Sequence, residues 1–406
     1  MTEDFLVHGR AALETDFGKE RVSRTIEAVK QFEVEIPSWV FGPFGGGRFG
    51  DYMPPGAARN IEEKLDDAAF VHQLTGATPQ VAMHMLWDFS KDQYTASESL
   101  AKDVSQLAGE RGLKIGSISP TYFLKGSERN SYAAMEQDTA ERYIDQTVLA
   151  AEIAQKYGVG LITLWFPDGS NYPAQVELRL SYENMRDNLL KTADRIDHRV
   201  WVLIEYKVFE PGTYSTTIPD WGTAFALAKA FGDNAGVLVD LGHHFHGANI
   251  QQIVARLIAE DLRCGFHFNT RYAADDDHAV EPNAEMARIF YELVSGDVIQ
   301  SQNPERNWAY MIDQACGREN RIHSILHSVD SLQHCLARAM LVKTEDMLVH
   351  QREDEIILAN RMFNDALVYA DVRPLVAAAR LEKNLPIDPL KAFVESGYQT
   401  KIENQR

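Results

Sequence analysis

Cysteine is scarce. The 406 residues hold three, Cys264, Cys316 and Cys335, with no CxxC spacing among them. An odd and scattered set offers neither a disulfide framework nor a thiolate zinc site, so buried reduced thiols are expected. Basic residues are also short, 40 against 59 acidic, which leaves a net charge of -19. A surface of that sign repels a phosphate backbone and argues against nucleic acid as a partner. Long apolar runs are missing as well, since no stretch approaches the ~18 uninterrupted apolar residues of a membrane span. The first residues, Met1-Thr-Glu-Asp, are acidic where a secretion signal carries basic charge. The expectation is a cytoplasmic protein with no membrane partner. What remains is ample for a large core, with 45% of residues hydrophobic.

The informative stretch runs from residue 202 to residue 314, where four short apolar runs each end in a residue that can bind a metal. They are Val202-Leu-Ile-Glu-Tyr-Lys, Val237-Leu-Val-Asp-Leu-Gly-His-His, Gly265-Phe-His-Phe-Asn (followed by Asp275-Asp-Asp), and Tyr310-Met-Ile-Asp-Gln. Runs this short, apolar without alternation and rich in β-branched and aromatic residues read as buried parallel strands. Ligand-type residues at the carboxyl ends of successive parallel strands point to a (β/α)8 TIM barrel.

The rest of the chain has the same rhythm. Strands are expected over residues 32–39, 80–86, 113–118 and 160–165, and in the runs ending at Glu205, Asp240, His267 and Asp313, which makes eight. Helical periodicity between them covers 61–74, 96–112, 139–157, 178–195, 221–231, 249–260 and 284–295. An N-terminal helix over residues 1–31 is expected outside the barrel, and a closing helix begins near Ile322. No linker or low-complexity segment divides the chain. The barrel domain is therefore assigned to residues 1–350, and a C-terminal helical extension for oligomer contacts to 351–406. Residues 40–59 form a long Gly/Pro-rich loop that leaves the carboxyl end of strand one and reads as a lid or subunit contact. Its Gly45-Gly-Gly-Arg-Phe-Gly matches GxGxxG, but Pro54-Pro55 stands where a phosphate-binding helix would start, so no dinucleotide site is assigned.

Seven ligand-type residues, Glu205, Asp240, His243, His267, Asp275, Asp277 and Asp313, lie in or just after the last four strands. Solvated turn residues would not follow four apolar runs in succession with these types. Mixed carboxylate and imidazole donors suit Mn²⁺, Co²⁺, Mg²⁺ or Zn²⁺. The number of donors suits two ions, with Glu205 as the bridge. Lys207, two residues beyond Glu205, points to the same side of its strand and reads as a donor to a substrate oxygen. His84, Trp39 and Trp165 close strands two, one and four, and supply an imidazole and two broad walls on which a sugar can stack. His244 and His246 read as hydrogen-bonded loop residues, and His323, His327 and His334 as packing or surface residues of an outer helix.

These residues together resemble the broad-specificity bacterial L-rhamnose isomerases, within the xylose-isomerase-like barrels. The likeness runs from Val34-Glu-Ile-Pro-Ser-Trp through His84, Trp165-Phe-Pro-Asp-Gly-Ser-Asn, Glu205-Tyr-Lys, Val239-Asp-Leu-Gly-His-His, Gly265-Phe-His-Phe-Asn, Asp275-Asp-Asp and Met311-Ile-Asp-Gln to Glu395-Ser-Gly-Tyr. The resemblance implies that Glu205, Asp240, His267 and Asp313 hold a structural ion, and that His243, Asp275 and Asp277 share Glu205 around a catalytic one. It also implies Mn²⁺ or a related ion, a homotetramer, and interconversion of aldoses with ketoses. Phe49 matches a loop aromatic that reaches a neighbouring subunit's site. One departure is Thr270-Arg-Tyr-Ala-Ala, where the family has Asp-Ser-Lys-Tyr-Gly.

The expected chemistry is isomerisation of an open-chain aldose, L-rhamnose first, with L-mannose, D-allose or L-lyxose as related substrates. Lys207, Asp313 and His84 are its catalytic candidates; Trp39, His84, Trp165, Lys207 and Phe49 line the substrate. Hydrogen passes between C1 and C2 either directly or through an enediol, with a proton taken and returned near Asp313. The rival readings are a metal-dependent ketose 3-epimerase and a sugar-binding protein without turnover.

Overall fold

The computed structural model describes residues 2–43, 53–210, 213–271, 278–315 and 317–406. Eight strands form one parallel sheet: β1 (Ile36–Pro37), β2 (Gln80–His84), β3 (Lys114–Ser119), β4 (Leu161–Leu164), β5 (Trp201–Glu205), β8 (Ala235–Asp240), β9 (Gly265–Phe268) and β10 (Ala309–Ile312). A two-stranded hairpin, β6 (Phe209–Glu210) with β7 (Tyr214–Ser215), interrupts the order after β5. The sheet closes on itself: the Glu35 N–H donates to Tyr310 O at 2.9 Å and the Ile312 N–H donates to Glu35 O at 2.9 Å. The expected (β/α)8 TIM barrel is the observed fold, with helices around the ring and a helical C-terminal extension.

The barrel closes because its inward residues fill it. Leu161, Leu203, Leu238 and Met311 meet on the axis as a buried plug. Glycines mark where the ring admits no side chain: a Cβ on Gly236, in the middle of β8, would lie 1.9 Å from Arg263 O, where the chain crosses on its way into β9. Above the plug the strands end in polar residues. Outside it, helices such as Ile61–Thr75 and Trp221–Phe231 start on side-chain caps, Asn60 and Asp220, that accept the otherwise orphaned N–H groups.

Three expectations change. The N-terminal helix is two helices, Glu3–Phe17 and Lys19–Gln31, because Gly18 takes φ 88°, a conformation that breaks the helical ladder. Strand one is only Ile36–Pro37 and passes at once into a 3-10 turn, Ser38–Phe41, so Trp39 stands on a turn above the barrel rather than in the strand. Strand two ends at His84 and turns into the helical Met85–Asp88, where the apolar run was taken to continue. The closing helix is Arg321–Leu341. After it, helices including Ile356–Asn364 and Arg373–Glu382 pack Leu367, Leu375 and Val376 against Leu13, Val22 and Ile26. Phe393 and Ile402 join the barrel's own core. The glycine-rich segment 45–50 with Phe49, the aspartates Asp275, Asp276 and Asp277, and Cys316 lie outside the described residues.

Because the atom that would meet a Cβ on Gly236 is backbone, no rotamer change can relieve the clash. Gly236→Ala should destabilise the protein by about 1–3 kcal/mol or more in urea unfolding, the scale of core overpacking. Parent-like stability would show that the crossing at Arg263 yields easily.

Candidate active site

The carboxyl ends of β5, β8, β9 and β10 bring Glu205, Asp240, His267 and Asp313 together, with ligand atoms all within 4.8 Å of one another. His267 Nδ1 is the hub, 3.3 Å from Glu205 Oε1, 3.5 Å from Asp240 Oδ2 and 3.6 Å from Asp313 Oδ2. Glu205, Asp240 and His267 are buried, and Asp313 keeps about a quarter of its side chain exposed (24%). Burial opposes charge on His267, yet Glu205, Asp240 and Asp313 together hold its imidazole well above the ordinary histidine value. Burial would likewise raise Glu205, but the imidazoles of His267 and His243 hold it down to about 2. Asp313 is pushed up to about 6, first by burial and then by Asp240 and Glu205, against the pull of His267. Three carboxylates around one imidazolium leave a formal excess of two negative charges. Its hard oxygen donors and one nitrogen fit a divalent cation, and this cluster could hold one.

Glu205 also faces a second imidazole. His243 Nδ1 lies 3.2 Å from the same Oε1 and 3.0 Å from Tyr206 O. A carbonyl can only accept, so Nδ1 carries a hydrogen. One oxygen of Glu205, Oε1, thus meets both imidazoles. His244 turns away: its Nε2 meets the Tyr206 hydroxyl at 2.6 Å.

The other half of the mouth is aromatic. Trp39 and His84 rings are 5.1 Å apart, His84 and Phe123 5.3 Å, and Phe123 and Trp165 5.3 Å, with Trp87 against both His84 (4.7 Å) and Phe123 (5.2 Å). The arc begins on the charged cluster, where the Trp39 indole N–H donates to Asp313 Oδ1 at 3.1 Å. It ends on Lys207, whose Nζ lies 5.0 Å from the Trp165 ring and 3.2 Å from Glu210 Oε1. One buried carboxylate braces it: Asp88 accepts from Ser38 Oγ (2.6 Å), the His84 N–H (2.8 Å) and Lys64 Nζ (2.8 Å). It thereby locks the turns that carry Trp39 and His84.

Of the residues expected at the site, the fold gathers Glu205, Asp240, His243, His267, Asp313, Lys207, His84, Trp39 and Trp165 at one mouth. Trp87, Phe123, Glu210 and Asn269 are part of the mouth and were not picked out from sequence. Trp87 had a signal, an aromatic immediately after the apolar run 80–86; Phe123, in a loop after β3, had none.

Comparison with known proteins agrees with this architecture. Residues 75–285, just over half the chain, match the model of the xylose isomerase-like TIM barrels. The chain belongs to that family. It is 32% identical to a probable sugar isomerase of Rhizobium meliloti, covering 98% of this chain and 94% of that one. A probable sugar isomerase of Mesorhizobium japonicum is 31% identical over 97% and 93%. An L-rhamnose isomerase of Rhodopirellula baltica is 21% identical over 68% and 69%. Among solved structures, an L-ribulose 3-epimerase superposes with a TM-score of 0.55 at 13% identity, covering 79% of this chain and 98% of that chain, a likeness of fold. No helix among the described residues is long and apolar enough to cross a membrane.

His84 gives a pH test. Burial pushes its imidazole down to about 4, against the opposite pull of Asp88. The neutral form is therefore favoured in the folded state, and its contribution is complete above the unfolded value near 6.5. It is lost as pH falls from there towards 4, to a total of about 3 kcal/mol at 1.36 kcal/mol per unit. His84→Gln should flatten the acid limb of stability against pH measured by urea midpoints; identical slopes would refute this.

Proposed function

We propose that this protein is a metal-dependent aldose–ketose isomerase whose first substrate is L-rhamnose, converted to L-rhamnulose, with L-mannose, D-allose and L-lyxose as related aldoses. The observation that carries the proposal is the divided mouth: a cluster of carboxylates and imidazoles on one side, and Lys207 with an arc of aromatic rings on the other. The near-full-length relatives named as probable sugar isomerases support it. The more distant L-rhamnose isomerase supports the choice of sugar.

In this scheme Glu205, Asp240, His267 and Asp313 would hold one ion, and His243, Asp275 and Asp277 would join Glu205 in holding a second. Bound Mn²⁺, or Co²⁺, Mg²⁺ or Zn²⁺ in its place, supplies Lewis-acid polarisation of the C1–C2 unit. The protein's own groups do the rest. Lys207 donates to O1 of the open chain, and Glu210 holds its ammonium in place. Trp39, Trp87, Phe123 and Trp165 cover the carbon chain and exclude water. Buried His84 stays neutral and offers hydrogen bonds to sugar hydroxyls, while Asp313, the most exposed of the cluster, is placed to take or hold a proton. Phe49 would complete the wall of a neighbouring subunit in a homotetramer. Ile357 and Tyr369, 78% and 67% exposed on the C-terminal helices, are apolar surface that assembly would cover.

A ketose 3-epimerase needs acid and base on opposite faces of one carbon. Here the described carboxylates Glu205, Asp240 and Asp313 crowd one side, and the carboxylate on the ring side, Glu210, is paired with Lys207 at 3.2 Å, which favours isomerisation.

The decisive assay is ketose formation from L-rhamnose, L-mannose, D-allose, L-lyxose and D-ribose by chelator-stripped protein, with and without Mn²⁺, in D₂O. Conversion that returns only with metal is expected, and deuterium on the product carbon selects the enediol route over direct transfer. No ketose from any of the five aldoses by the metal-restored protein, with C3 epimerisation of a ketose supplied in a parallel reaction, would overturn the assignment. Glu205→Gln should abolish turnover and lower bound metal together; full activity in that variant would remove the bridging role. Sedimentation should give a tetramer that Ile357→Glu weakens, and a monomeric parent would dismiss the assembly.

A further inference from the structure

The two aspartates of the cluster each turn Oδ2 to the hub and carry their closest donor on Oδ1. In Asp313, Oδ2 is the oxygen turned to His267, at 3.6 Å, and Oδ1 accepts the Trp39 indole N–H at 3.1 Å. In Asp240, Oδ2 is again turned to His267, at 3.5 Å, and Oδ1 accepts the Gly242 N–H at 2.7 Å. Asn269 Nδ2 stands 3.0 Å from that Oδ1 and 3.2 Å from Oδ2. Each aspartate therefore has its closest donors on the oxygen that faces away from the hub.

We propose that Trp39 and Asn269 are positioning residues for a divalent ion: Trp39 leaves Oδ2 of Asp313 as the oxygen offered, and Asn269, which reaches both oxygens of Asp240, fixes the plane of that carboxylate while the Gly242 N–H engages Oδ1. The inference rests on the metal reading of the cluster. A carboxylate with both oxygens equally accessible can meet a cation through one or both; a donor on one oxygen removes that choice. Both donors are neutral, so they orient the carboxylates without competing with an ion for negative charge, as a lysine would. Asn269 is buried and its Oδ1 has no hydrogen-bond partner among the described residues. Buried acceptors are rarely left unmatched. Reversing the amide would set Oδ1 against the Asp240 carboxylate, so the orphaned acceptor accompanies keeping the N–H on the ligand. Trp39, expected as a sugar wall, thus also donates from its ring edge to the carboxylate of Asp313.

The test uses the full chain, chelator-stripped, with Mn²⁺ as the probe. Trp39→Phe keeps a ring in the wall and removes only the N–H; Asn269→Leu keeps approximate volume and removes the donor. Each should weaken Mn²⁺ binding about 10–100-fold in competition with a chromophoric chelator, with a parent-like melting temperature. Each should also alter the electron paramagnetic resonance lines of bound Mn²⁺, a readout that loss of packing alone would not move. If Asn269→Leu does not fold, Asn269→Ser replaces it. Parent-like affinity and spectra in a folded variant would overturn the role of that residue while leaving the metal reading intact. A parent protein that binds no Mn²⁺ would overturn both.

Discussion

Three carboxylates gathered around one imidazole, two of them buried, repel one another, and that repulsion is the constraint to which the rest of the mouth answers. In water the charges would separate; at the end of a closed parallel ring they cannot, because each sits on a strand whose register its neighbours fix. A short lever from backbone to functional atom is what parallel strand ends supply, and a loop of the same composition would relax away. The plug of Leu161, Leu203, Leu238 and Met311 below the cluster closes off retreat into the barrel. The arrangement surrenders stability in exchange for a preformed appetite for positive charge.

Around the mouth, chemistry changes with strand order. At the ends of β5, β8, β9 and β10 the mouth is charged, and over β1 to β4 it is lined by rings from the turns and loops that follow the strands, with Trp39 and Lys207 at the two seams. A polyhydroxylated chain laid across such a mouth would meet charge at one end and flat apolar faces along its length. The brace at Asp88 matters here because the rings stand on turns rather than in strands. Without Ser38, Lys64 and the His84 N–H converging on one carboxylate, the aromatic half would be less rigid than the charged half.

Most of the fold was legible from sequence, because buried parallel strands are unbroken apolar runs and the helices between them keep a 3.6-residue period. Helix boundaries at Leu178–Arg195, Trp221–Phe231 and Ala284–Ser295 coincide with their periodic segments. The misreadings share one cause. At Gly18, Ser38–Phe41 and Met85–Asp88 the residues remain apolar or helix-compatible while the backbone turns, and composition does not register a change of direction. The charged half of the site was legible because each ligand ends its own strand. Phe123 and Glu210 were not, since each reaches the mouth from a connecting segment whose path depends on the folded barrel. The double use of Trp39 is a matter of one hydrogen atom, which residue type alone cannot reveal.

The chain has six tryptophans, and three of them, Trp39, Trp87 and Trp165, stand on the same arc of the mouth. Half of the protein's tryptophans therefore stand on the mouth, one indole being hydrogen-bonded to a carboxylate of the cluster. Occupancy of the mouth is written into the intrinsic fluorescence, so the protein carries its own optical gauge of what enters, without any added label.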